Sequence, residues 1–249
     1  YTLQWIEDLS PGEREHLDVA KIEIAAMAGL GRWGEVVPIV SRQTTQGGTA
    51  PAAAVFWTWQ ALAFSEMGNR SDSRLSARTA SMAARSDPAV SLELGDTMRR
   101  WGLRQNAIDF YQAVAEAPPP WNALGRRRLI TVFGEMGDAK RMLETVEHGL
   151  RLNPNDERLG DLLVPLKISS GANPGEVLAM SAGRYAQNPT NDMAGIAYAQ
   201  ALLANGKVAE ALAVFTVLPQ SAYQVAEGRL YFAEALRAAG MTNDALRVI

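Results

Sequence analysis

The chain holds two histidines, His16 and His148, and no cysteine. Without cysteine there is no disulfide, thiolate zinc site, iron–sulfur cluster or thiol nucleophile. The histidine spacing matches no metal-ligand pattern, and each reads as a solvated or packing side chain. Gly29, Gly31 and Gly34 spell the GxGxxG of a dinucleotide-binding turn. That turn needs a preceding strand and an acidic residue about twenty positions on. Here the preceding residues are helical in pattern, and the region near residues 49 to 55 offers no Asp or Glu. Asn69-Arg70-Ser71 fits a glycosylation sequon and reads as an accidental match. Six tryptophans could suggest an aromatic surface, but Trp57 and Trp59 lie on one helical stretch and read as structural. The densest positive cluster is Arg99, Arg100, Arg126, Arg127 and Arg128. Guanidinium groups can pair acidic groups bidentately, so this cluster is either a partner-binding surface or a solvated charged face. No cofactor or metal is implied, and the chain reads as a non-enzyme.

The composition sets the frame for these residues. The 249 residues are 47% hydrophobic and 20% charged, with a net charge of -3. Disorder is excluded, because apolar surface is ample to offset chain entropy. An acidic balance argues against nucleic acid as the partner. No apolar run reaches the roughly 18 residues of a membrane span. Twenty arginines against four lysines, with abundant alanine, suggest a GC-rich bacterial source. No secretory signal is visible, and Tyr1 is not an initiator methionine, so the chain reads as a fragment of a longer protein.

What positions the arginines is a repeat. Gly31, Gly68, Gly102, Gly137, Gly171, Gly206 and Gly240 are separated by 37, 34, 35, 34, 35 and 34 residues. About fourteen residues of helical periodicity precede each glycine, and a second helical stretch follows it. A glycine ending the first helix supplies the left-handed conformation that a short turn needs. The short connection then makes the two helices antiparallel. Seven residues before the glycines stand Ile24, Ala61, Gly95, Ile130, Val164, Ala199 and Ala233, and five after them Val36, Ser73, Ala107, Met142, Glu176, Ala211 and Ala245. These should face the packing within each pair.

The segments LELGDTMRRWGLRQNAIDFYQAVAEAP and GEMGDAKRMLETVEHGLRLNPND carry a resemblance to the tetratricopeptide repeat family. Leu150, Leu152 and Pro154 reproduce its helix-ending Leu-x-Leu-x-Pro, and Trp57 its early tryptophan. The resemblance covers nearly the whole chain and implies an all-α, right-handed α-solenoid of antiparallel helix pairs. Residues 1–249 are then one solenoid of about seven units, with residues 1–10 ending a preceding repeat. It further implies that residues thirteen, ten, six, three and two before each glycine line a concave groove. Asp96, Arg99, Arg100, Arg127, Thr131 and Glu135 fall in its central part, and Met193, Ile196, Gln200 and Leu203 in a more apolar C-terminal part. The same charges could equally be a solvated face, paired locally to Asp96 or Glu135. The Lys and Asn of the family's carboxylate-clamp subtype are not reproduced: Lys21 stands with Ala25, and Thr58 with Leu62.

Several departures carry expectations of their own. Pro38 and Pro165 fall inside helices and should kink or shorten them. Lys167 and Glu176 occupy apolar positions, which makes the fifth unit the least regular. Ser10, Pro11 and Glu13 form an N-cap set that would start the first recognised helix near residue 11. The segment Thr44–Pro51 absorbs the long first interval, and Ala117 to Pro120 forms a second, rigid connection. No polar capping helix ends the chain, so its ends could stack on another copy. The reading is a protein-interaction scaffold that binds a peptide or partner protein in the groove. The alternatives are a regulatory or anchoring region of a larger bacterial enzyme or envelope-assembly protein, and a helical-repeat RNA binder.

Overall fold

The seven glycines that set the repeat are the residues with positive φ among those described, at values from 69° to 80°. The computed structural model describes residues 1–14, 16–45 and 50–249. After α1 (Thr2–Glu7) and α2 (Pro11–Arg14), each of those glycines stands between one helix and the next in chain order. The pairs are α3 (Leu17–Gly29) with α4 (Trp33–Thr45), α5 (Ala50–Glu66) with α6 (Arg70–Ala84), and α7 (Pro88–Arg100) with α8 (Arg104–Glu116). Next come α9 (Trp121–Glu135) and α10 (Ala139–Leu152), then α11 (Glu157–Ser169) with α12 (Pro174–Gln187). The last pairs are α13 (Asp192–Ala204) with α14 (Val208–Val217), and α15 (Ala226–Ala238) with α16 (Thr242–Val248). No strand occurs among the described residues. The segment Thr44–Pro51 includes residues 46–49, which lie outside the described ones.

The turns share one hydrogen-bond pattern. Arg32, Asn69, Leu103, Ala172, Lys207 and Met241 each donate a backbone N–H to the carbonyl five residues back, at 2.8–3.0 Å. That bond closes the first helix only if the intervening residue is left-handed, which strains any side chain with a Cβ. Gly102→Ala should therefore cost about 1 kcal/mol. A denaturant midpoint unchanged by that substitution would contradict the assignment.

Ile24, Ala61, Gly95, Ile130, Val164, Ala199 and Ala233 are all buried. Among the positions five after each glycine, Val36, Ser73, Ala107, Ala211 and Ala245 are buried, whereas Glu176 is exposed. In the fifth repeat the cap is Asn173, two residues past Gly171 and not one, so the register of α12 moves by one residue. Val177 and Ser181 take the inward places at 1% exposure each. Lys167 is only half-buried, and its Nζ lies 2.6 Å from Glu147.

Helix bounds bear on two expectations. Pro38 and Pro165 shorten neither α4 nor α11, each of which runs 13 residues through its proline. The first repeat helix begins at Leu17, capped by His16, and not near residue 11. Ser10 and Glu13 do form a reciprocal cap, with Ser10 N to Glu13 Oε2 at 2.9 Å, but it heads the four-residue α2.

The Cα packing divides the chain into two units, Tyr1–Met136 and Gly137–Ile249. In the first, Ile24, Val36, Ile39, Val40 and Phe56 form one cluster, and Met98, Phe110, Tyr111 and Val114 are fully buried further along. In the second, Leu202, Val214 and Phe215 centre a cluster that a 3-10 turn, Gln220–Tyr223, helps to close.

Candidate functional site

The arginine cluster lies in the first unit, on α7 and α9, with Arg104 of α8 beside it. Residues 70–128 hold ten arginines and six carboxylates, a balance of +4 within a chain of -3. Helical spacing sets Asp96 and Arg99 on one face of α7, opposite Glu135 and Arg128 of α9. Arg128 donates from Nε to Asp96 Oδ1 at 2.8 Å and from Nη2 to Oδ2 at 3.0 Å. The Tyr111 hydroxyl donates to the same Oδ1 at 2.7 Å. Gly95 makes room for that ring, since a Cβ there would lie 2.8 Å from it. Glu135 accepts from Arg99 Nη1 at 2.5 Å and from Arg104 Nε at 3.1 Å.

This network decides which cations remain available. Arg99, Arg104 and Arg128 are held by carboxylates, so for them the local-pairing reading describes the structure. Arg100 and Arg127 are exposed and have no carboxylate partner among the described residues. Arg100 Nη2 reaches only Thr97 Oγ1, at 3.1 Å. Thr131 is exposed, and its hydroxyl donates to the Arg127 carbonyl at 3.0 Å.

Burial pushes the Asp96 carboxyl up, but hydrogen bonds from Arg128 and Tyr111 and the nearby arginine charges outweigh it. Its pKa sits below the ordinary carboxylate value. Glu135 is likewise lowered: burial raises it, and the bonds from Arg104 and Arg99 prevail. Burial and the Asp96 carboxylate together push the Tyr111 phenol up. A lowered folded-state pKa gives stability that is present above the unfolded value and lost as pH falls through the folded one. The wild-type first unit should therefore lose more stability than Asp96→Asn between about pH 5 and pH 2. Parallel thermal midpoints for the two proteins over that range would contradict the network.

An open cleft of about 510 Å³ lies beside the unpaired Arg100, lined by Ala89, Leu92, Glu93, Asp96, Arg99, Arg100 and Trp121. Ala89, Leu92, Asp96, Arg99 and Arg100 stand thirteen, ten, six, three and two residues before Gly102. The repeat register thus generates five of the lining residues. Choosing only the polar ones left out Ala89 and Leu92, which the register itself supplies. Trp121, the first residue of α9, carries no such signal because it precedes the periodic positions. Arg104, Tyr111 and Arg128 were also missed, since their roles depend on which carboxylates they meet.

The C-terminal residues of the expected groove lie in the second unit and divide. Ile196 is only 2% exposed and belongs to the core. The connection after α14 folds into the 3-10 turn, whose Ala222 joins the cluster around Ile196. Ile196 is therefore withdrawn as a contact residue. Met193 and Leu203 are half-buried against that same cluster. Gln200 Nε2 donates to the Tyr231 hydroxyl at 2.7 Å.

Among the described residues, no group of His, Asp and Glu is arranged to hold a metal, and no helix is long and apolar enough to cross a membrane. His16 serves as the cap of α3, its Nδ1 accepting from Asp18 N at 3.4 Å. The GxGxxG runs from the last residue of α3, Gly29, into α4, and its Gly31 is the first repeat turn.

No family model matches the chain, and no curated protein matches it. Among solved structures it is similar to a tetratricopeptide repeat protein from Parabacteroides merdae, at 14% identity and a TM-score of 0.48, covering 93% of this chain and 90% of the other. It is also similar to the anaphase-promoting-complex hetero-tetramer Cut9-Hcn1, at 12% identity and a TM-score of 0.41, covering 94% and 52%. A third is the TPR domain of P58(IPK), at 11% identity and a TM-score of 0.31, covering 95% and 83%. The fold itself rests on the geometry of this chain: α-helices in tandem, with a left-handed glycine between the first and second helix of each repeat.

Proposed function

We propose that this chain is a non-catalytic protein-interaction scaffold, and that α7 and α9 of its first unit hold an acidic, partly apolar segment of a partner protein. The observation that carries this reading is the division of the arginines. Asp96 and Glu135 pair with Arg99, Arg104 and Arg128 and fix them in place. Arg100 and Arg127 are left exposed, without a carboxylate, and Arg100 borders a cleft that also offers Leu92 and Trp121. A ligand carboxylate pairs with such a guanidinium bidentately, and an adjacent apolar side chain gains by leaving water against the indole. Because the helices are preformed, the partner alone bears the ordering entropy.

The test uses a fluorescein-labelled peptide of about ten residues that mixes glutamate and leucine. Arg100→Glu with Arg127→Glu should weaken its binding by about a hundredfold, roughly 2.7 kcal/mol. Both positions are exposed, so circular dichroism should be unchanged. An affinity unaltered by the double reversal would sink the assignment.

A further inference from the structure

A second surface lies on the outer side of α6. Arg70, Arg74 and Arg78 follow one another at single-turn intervals, a track about 12 Å long at 1.5 Å per residue. All three are exposed, and none has an ion-pair partner among the described residues. Beside the track stand Leu75 and Met82, at 65% and 60% exposure. Seven residues apart, they share one face of the helix about 10.5 Å from each other. Next to Met82 a groove of about 220 Å³ separates α6 from α8, with Arg78, Ser81 and Arg85 lining its α6 bank and Ala113 on the α8 side. Its far bank is acidic: Asp109 stands there, together with Glu116, which is already paired to Arg85.

We propose that this face docks an acidic amphipathic helix of a partner protein. Two exposed apolar residues one heptad apart, flanked by the arginine track, match the apolar seam of a helix laid along α6. The partner's carboxylates lie over Arg70, Arg74 and Arg78, and the carboxylates of α8 keep that acidic edge on the α6 side. The same acidic bank disfavours an anionic bilayer, which would also need a broader apolar face than two side chains. The site is separate from the α7 and α9 cleft and shares no lining residue with it.

The test uses the intact chain and a stapled helical peptide bearing leucines at heptad spacing with glutamates along one flank. Its binding should be weakened about tenfold by Arg74→Glu with Arg78→Glu, and similarly by Leu75→Ser with Met82→Ser. It should be unchanged by Arg100→Glu with Arg127→Glu, so a failed cleft assignment leaves this one standing, and the converse holds too. A peptide with lysine for every glutamate should not bind. The proposal is overturned if the α6 variants bind the acidic helix as the wild type does, or if no binding occurs. It is equally overturned if phosphatidylserine vesicles capture the wild type and release the Arg74, Arg78 variant.

Discussion

Gly125→Ala is expected to destabilise the first unit by about 3 kcal/mol, read as a lower denaturant midpoint. In an unobstructed helix the same exchange would stabilise by about 1 kcal/mol, because alanine loses less entropy than glycine. At Gly125 the sign reverses for a geometric reason. A Cβ there would fall on the backbone of Val114 and Ala115, closer than any van der Waals contact permits. Those atoms belong to α8, so no side-chain rotation relieves the overlap, and α8 and α9 must move apart. Gly183 in α12 is the internal comparison, since nothing lies within 4 Å of its hypothetical Cβ. Gly183→Ala should stabilise its own unit by about 0.5–1 kcal/mol. Stabilisation by both substitutions would mean that α8 and α9 do not pack at backbone contact.

The second large effect is expected from Asp96→Ala, a loss of about 2 kcal/mol from the first unit. The Tyr111 ring is fully buried, and its hydroxyl bonds to Asp96. Arg128 relies on the same carboxylate for two hydrogen bonds. Removing the acceptor leaves a phenol and a guanidinium unpaired at once. Hydrogen bonds to charged groups contribute about 1.5–3 kcal/mol each, and the partial exposure of this site holds the sum near the lower end. Asp96→Asn retains one carbonyl acceptor and should lose about half as much. Tyr111→Phe in the Asp96→Ala background should then cost almost nothing. A full additional penalty would show that the two side chains are not coupled.

The repeat was legible in the sequence because its physical requirement is local. A left-handed residue closing each first helix must be glycine, and seven glycines at near-constant spacing announce seven turns. The inward positions followed for the same reason, with Ile24, Ala61 and Ala199 each fully buried. Where local signals shift, that reasoning slips. One extra turn residue before Asn173 moved the register of α12 and exposed Glu176. Gln220–Tyr223 reads as connector, yet folds into a turn that buries Ile196. The candidate site was legible only as a cluster of charges. Which arginine is spent and which is free depends on partners 31 to 36 residues away, as between Arg104 or Arg99 and Glu135. Spacing along one helix cannot decide that.

Hydrogen exchange most directly tests whether Arg100 and Arg127 on α7 and α9 form the contact surface for an acidic partner segment, using this chain bound to the peptide that mixes glutamate and leucine. Binding should slow exchange in α7 and α9, centred on Leu92, Arg100 and Trp121, and Arg100→Glu with Arg127→Glu should abolish that protection. Equal affinity in that variant, or protection that leaves α7 and α9 untouched, would contradict it.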